Sequence, residues 1–174
     1  AKRSWLNFSI QKGFVRFACS LNHDHDHDQI TLGFCGFTKS ELIGFPNENI
    51  LFLEAMTECI FSFSYLDTIP EQKDLLQQWL FDLHLVRHPV SAETRLLSLF
   101  KLLLRRFGHI NNNKNAILLP FYLSHARIAE LIGSTRSTVT RQISKLREQK
   151  LLLSEENDSR FLFSNSLNFQ SANL

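Results

Sequence analysis

The sequence is poor in the residues that announce chemistry. Its 174 residues include three cysteines, Cys19, Cys35 and Cys59. The number is odd and no C-x-x-C occurs, which argues against a disulfide framework and against a structural zinc site. Such usage fits a reducing compartment, so a cytoplasmic protein is expected. There is no Gly-rich phosphate loop and no G-x-S-x-G elbow, so no enzymatic signature emerges. Nor is there an apolar run of the roughly 18 residues a membrane helix needs. "KLLLRR" is broken by charge within a turn, and no membrane partner is expected. The start, "AKRSWLNF", has no signal-peptide core and no Met, so the natural N-terminus is expected elsewhere.

What is present is an unequal distribution of charge. Residues 1–90 carry 7 Lys and Arg against 11 Asp and Glu, a net of −4, whereas residues 91–174 carry 12 against 6, a net of +6. The two recover the +2 of the whole chain. A basic C-terminal half is a candidate nucleic-acid footprint.

The first half has β character. "GFVRFACSL" (Gly13–Leu21) and "QITLGFCGF" (Gln29–Phe37) are rich in β-branched and aromatic residues with partial alternation. They predict a hairpin. "SELIGFPNEN" supplies Gly44, Pro46 and two Asn, a turn cluster, and two more strands are expected around "ILFLEAMTE" and "CIFSFSYLD". Short strands at close spacing suggest a sandwich or jelly-roll barrel.

The pattern changes at Asp67. Thr68 and Glu71 form a capping box with Pro70 in the first turn. Leu76, Trp79, Leu83 and Val86 then recur at gaps of 3, 4 and 3, a seam that predicts a dimerising helix. Pro89 interrupts it and pushes His88 out of the helical region. Ser91 caps a further helix, which Gly108 ends, and "GHINNNKNAI" is expected as a polar loop. The domains read as 1–68, a sensor-like barrel; 69–89, dimerisation helix and hinge; and 90–174, a DNA-binding domain.

The most informative segment is "LSHARIAELIGSTRSTVTRQISKLREQKLL", Leu123–Leu152. Ser124 caps a short helix. Ala129 sits four residues before Gly133, which suits a tight inter-helix turn. Ser134 or Thr135 caps a second helix, on which Val139, Ile143 and Leu146 form one buried face. Arg136, Ser137, Thr140, Arg141 and Ser144 fall opposite. This is a helix–turn–helix with a polar recognition face. Arginine forks match guanine O6 and N7, each good pair supplying roughly 1–3 kcal/mol of discrimination. Ser134, Thr135 and the helix N-terminus suit phosphates. The full set expected at DNA is Ser124, His125, Ser134, Thr135, Arg136, Ser137, Thr138, Thr140, Arg141 and Lys145. "KLLLSEENDSRFLFSN" then reads as a wing, with Arg160 or nearby backbone its expected DNA contact.

"LSHARIAELIGSTRSTVTRQISKLREQ" resembles the DNA-binding motif of the Crp/Fnr transcription regulators, and "GSTRSTVTR" is similar to their cyanobacterial branch, which includes the global nitrogen regulators. The resemblance implies an α+β protein: an incomplete N-terminal jelly-roll, cyclic-nucleotide-binding-like β-barrel, a long dimerisation helix and a C-terminal winged helix–turn–helix. It implies a homodimer on a palindromic operator in double-stranded DNA, with RNA polymerase as a further partner. Arg136 and Arg141 match the family's base-reading arginines, and Ser137 departs from the usual Glu or Val. Ser40 to Gly44 resembles the family's Gly-Glu turn, but no Arg follows it. None occurs between Arg16 and Arg87, so cAMP binding is not expected. The nitrogen regulators bind 2-oxoglutarate through basic residues near barrel and helix. Arg87 is the one such candidate here, it lies at the hinge, and the effector stays unassigned. The strands the family places first are absent before Trp5, so a leading segment is expected to be missing.

"NHDHDHDQ" (Asn22–Gln29) stays outside this reading. His23, His25 and His27 share one side of an extended segment and could hold a metal, as in a cupin-like barrel. A cupin would require a Glu a few residues on, and the next is Glu41. The expectation is a solvated hairpin tip.

Overall fold

The computed structural model describes residues 3–20, 29–46, 50–66, 74–111, 115–155 and 158–164. The chain divides into two compact units, Ala1–His84 and Leu85–Leu174. The division falls inside a helix, before Pro89.

The first unit is built from two three-stranded antiparallel sheets. One has the order β4–β1–β6, from β1 (Arg3–Lys12), β4 (Thr38–Pro46) and β6 (Ile60–Leu66). The other has the order β3–β2–β5, from β2 (Val15–Ser20), β3 (Gln29–Cys35) and β5 (Leu51–Ala55). The predicted hairpin is β2–β3, with Val15 opposite Cys35 and Ser20 opposite Gln29. On β1 the period of two is plain: Leu6, Phe8 and Ile10 are buried while Asn7 and Ser9 are less so. The Phe8 and Phe17 rings meet edge to face with centroids 5.3 Å apart, joining the two sheets.

Two expectations are corrected here. The turn cluster at Ser40–Gly44 is the middle of β4, because Leu42 and Ile43 pair with Asn7 and Leu6 of β1 and are themselves buried. The N-terminal segment, to which no strand was assigned, is the central strand β1 of its sheet. The capping box at Thr68 and Glu71 lies outside the described residues.

Helix α1 (Leu75–Arg87) begins in the first unit. Its stripe of Leu76, Trp79, Leu83 and Val86 is buried within the single chain, which corrects the assignment of these four as a dimer seam. A seam on a partner and a helix lying on a sheet require the same spacing. Trp79 decides between them: it is fully buried, and its indole Nε1–H donates to the Phe34 carbonyl at 2.6 Å. Gly33 makes this possible, since a Cβ there would overlap the Trp79 ring. The exposed apolar residues of α1 are Leu80 and Phe81.

The second unit packs α2 (Ala92–Phe107), α3 (His125–Ile132) and α4 (Arg136–Glu148) with a four-stranded sheet of order β7–β8–β10–β9. Ser91 caps α2 by accepting the Thr94 N–H. The expected polar loop is partly structured. Strands β7 (His109–Asn111) and β8 (Ala116–Leu118) pair with each other, and Ala116 is fully buried. The predicted wing is β9 (Leu152–Glu155) and β10 (Asp158–Ser164). Phe161 and Phe163 pack at a tilt against Phe100 of α2, with centroids 5.2 and 4.8 Å away, and anchor the wing on that helix. No helix among the described residues is long and apolar enough to cross a membrane.

Candidate nucleic-acid interface

The helix–turn–helix is assembled by local chemistry. The Ser124 hydroxyl accepts the Arg127 N–H at 3.1 Å and starts α3. Ile128, Ala129, Leu131 and Ile132 are buried. Gly133 ends the helix in the left-handed region, φ 60° and ψ 56°, where a Cβ would be strained. The Ser134 N–H then donates back to the Ala129 carbonyl at 2.9 Å, closing the turn. Thr135, rather than Ser134, caps α4: its hydroxyl accepts the Thr138 N–H at 3.2 Å.

On α4 Val139, Ile143 and Leu146 are buried, as the spacing predicts. Arg136, Ser137, Thr140, Arg141, Ser144 and Lys145 are exposed, and Ser134 and Thr138 are half-buried at the helix start. The Thr140 hydroxyl donates to the Arg136 carbonyl at 2.9 Å, and the Ser144 hydroxyl donates to the Thr140 carbonyl at 3.1 Å. Both protons are spent inside the helix, so these hydroxyls face outward as acceptors. They suit a base donor, adenine N6 or cytosine N4, better than a phosphate. Near the cap, the Thr135 hydroxyl lies 3.0 Å from that of Ser137 and 2.9 Å from that of Thr138.

His125 opens α3, and its Nδ1 lies 2.8 Å from Thr140 Oγ1, which ties the two helices together at the exposed face. Burial, then the charges of Arg147 and Arg136, hold this imidazole below its ordinary pKa of 6.5. Arg147, which the sequence reading passed over, therefore belongs to the same field. The signal was present: positions 136, 140 and 147 fall on one stripe at helical spacing. Lys145 is engaged elsewhere, its Nζ contacting both carboxylate oxygens of Glu93 on α2 at 3.0 and 2.8 Å. Arg160 is exposed on the wing.

Arg87, the effector candidate, is directed at α3. Its Nε–H donates to the Leu131 carbonyl at 2.8 Å and its Nη2 to the Glu130 carbonyl at 3.1 Å. In the first unit a cavity of about 280 Å³ is lined by Leu32, Phe45, Leu51, Leu76 and Leu80, together with Asp74. Its lining contains no Lys or Arg. Among the described residues no group of three His, Cys, Asp or Glu side chains is placed to hold a metal ion. His23, His25 and His27 lie outside those residues.

Comparisons with known proteins agree with this geometry. Residues 95–162 match the Crp-like helix-turn-helix domain. A 59-residue stretch is 48% identical to the global nitrogen regulator of Synechococcus elongatus, covering 34% of this chain and 26% of that protein. The match thus spans about a quarter of that relative. Two solved structures share the fold. One is a cyclic nucleotide-binding domain containing protein from Listeria monocytogenes, with TM-score 0.63, 16% identity, and 92% and 80% of the two chains covered. The other is a CRP/FNR family transcriptional regulator from Thermus thermophilus, with TM-score 0.60, 18% identity, and 94% and 85% covered. The fold is Crp/Fnr-like.

Proposed function

Starting from residues 95–162 as a Crp-like helix-turn-helix domain, we propose that the protein is a sequence-specific DNA-binding transcription regulator of the Crp/Fnr type, acting as a homodimer on a palindromic operator. One observation carries the reading. Arg136 and Arg141 stand exposed on α4 while Val139, Ile143 and Leu146 hold the opposite side of that helix in the core. A helix fixed from behind, with arginine forks in front, suits the major groove. Arg147 and the N-terminus of α4 supply positive potential for phosphates. Glu93 already neutralises Lys145, so Lys145 contributes less than its position on the helix suggests.

Dimerisation is assigned to the open flank of α1, Leu80 and Phe81, since the original seam is buried. The effector stays unassigned: the cavity in the first unit is lined mostly by apolar side chains, and its lining contains no Lys or Arg.

Selection of bound duplexes from a random pool tests the proposal. The expected product is a palindrome whose half-sites contain guanines that become dispensable in Arg136→Ala or Arg141→Ala. Each variant should lose roughly 10- to 100-fold in specific affinity and retain salt-sensitive non-specific binding. Recovery of no common sequence would overturn the reading.

A further inference from the structure

Helix α3 has no basic residue in its last turn. The negative end of a helix is ordinarily met by a nearby Lys, Arg or His. Here that charge comes from outside the helix. Arg95 of α2 donates from Nη1 to the Gly133 carbonyl at 3.0 Å. Arg87, the last residue of α1, supplies two further donors, Nε to Leu131 and Nη2 to Glu130. The Glu130 carbonyl also accepts the Gly133 N–H, so Arg87 bonds directly to the turn that separates the helices.

From these contacts we propose that Arg87 is a positioning residue of the reading head, fixing the inter-helix turn and through it the angle at which α4 presents Arg136 and Arg141. The proposal rests on the DNA-binding reading given above. Three observations lead to it. First, Nε and Nη2 are the side-on fork of the guanidinium, the edge an anionic effector would require, and both point at carbonyls of α3. Second, Gly133 carries the turn's left-handed residue and has no side chain to brace it, so its geometry is held by the hydrogen bonds around it. Third, Arg136 begins α4 three residues after Gly133, so a change in the turn moves the first base-reading arginine directly. Arg87, Glu130, Leu131 and α4 all belong to the same compact unit, so these bonds brace the turn from within it.

The test uses the full chain and the variants Arg87→Gln and Arg87→Lys. Hydrogen exchange reads the turn, and the ratio of affinity for a selected operator to that for a random duplex reads the function. In Arg87→Gln, exchange at the Gly133 and Ser134 amides should accelerate about tenfold and the affinity ratio should fall about tenfold, as expected for losing a charge-assisted pair. The salt dependence of non-specific binding should not change, because Arg87 meets no phosphate. Arg87→Lys, a single-point donor able to reach one carbonyl, should restore part of both effects. An unchanged ratio with accelerated exchange alone would make Arg87 merely structural and overturn the proposal. So would a shallower salt slope, which would make it a phosphate contact. If the wild-type chain shows no sequence preference at all, the DNA reading fails, and the exchange rates alone decide whether Arg87 braces the turn.

Discussion

His125 Nδ1 lies 2.8 Å from Thr140 Oγ1, a contact that closes the outer edge of the helix–turn–helix. The Thr140 hydroxyl already donates to the Arg136 carbonyl, so it accepts from the imidazole, which fixes the proton on Nδ1 and leaves Nε2 as the second site. Burial, Arg147 and Arg136 lower the folded-state pKa, so the folded form resists the second proton. The unfolded chain takes it up near pH 6.5 and the folded chain only at lower pH. The stability this contributes is therefore present above about 6.5 and lost as pH falls through the folded pKa. Melting temperatures measured between about pH 7.5 and 5 should fall more in wild type than in His125→Asn. Parallel curves would remove the claim. A bound phosphate reverses the sign: DNA affinity should rise in the same acid window, and His125→Asn should flatten that rise.

The Glu93–Lys145 pair predicts an asymmetry in salt dependence. Lys145→Ala should leave the slope of log affinity against log salt nearly unchanged, since its charge is already met. Glu93→Ala releases Lys145 and should steepen the slope by about one phosphate contact. Titrations by fluorescence anisotropy across a salt series give both slopes. A slope reduced by Lys145→Ala would mean that DNA displaces Glu93.

Gly133 should not tolerate a side chain. Its φ of 60° costs a non-glycine residue roughly 1–2 kcal/mol. Space is available, because the nearest atom to an added Cβ is Arg95 Nη1 at 3.6 Å. The loss in Gly133→Ala is therefore conformational, and Gly133→Asn should recover part of it. Denaturant midpoints compare the three proteins. Equal losses for Ala and Asn would point instead to crowding.

Trp79 and Leu80 separate folding from assembly. Trp79→Ala removes a fully buried indole and its bond to Phe34, and should cost about 3–5 kcal/mol. Leu80→Glu with Phe81→Glu alters exposed positions and should leave the chain folded by circular dichroism while giving a monomer by light scattering. A dimer that survives the double substitution would place the interface elsewhere.

The helix–turn–helix was legible because its determinants are local. Ser124, Gly133 and Thr135 act within three or four residues of their own positions, and the Val139–Ile143–Leu146 stripe follows from helical spacing alone. Strand β4 was not legible. Its Gly44, Pro46 and neighbouring Asn residues carry turn chemistry, and what makes it a strand is pairing with β1 some thirty residues away, which no local pattern reports. Strands β7 and β8 are too short to show a period. The α1 stripe is visible in the sequence, but its partner is not, since a spacing near 3.5 fits a second helix or a sheet equally well. The discriminating sign was Gly33, the one glycine inside strand β3, marking where another group approaches closely. Arg87 was noticed as a cation at the hinge. Its bonding to α3 depends on tertiary geometry.

The clasp across Pro89 also bears on how portable the DNA-binding half is. A proline between two helices invites excision at that point, and a fragment beginning at Val90 would keep every residue of the matched domain. It would nevertheless lack Arg87 and expose the carbonyls of Glu130 and Leu131 at the end of α3. The compact unit itself begins upstream, at Leu85, and so includes Arg87. A domain traded between proteins, by an experimenter or by recombination, would have to carry the last turn of the preceding helix with it.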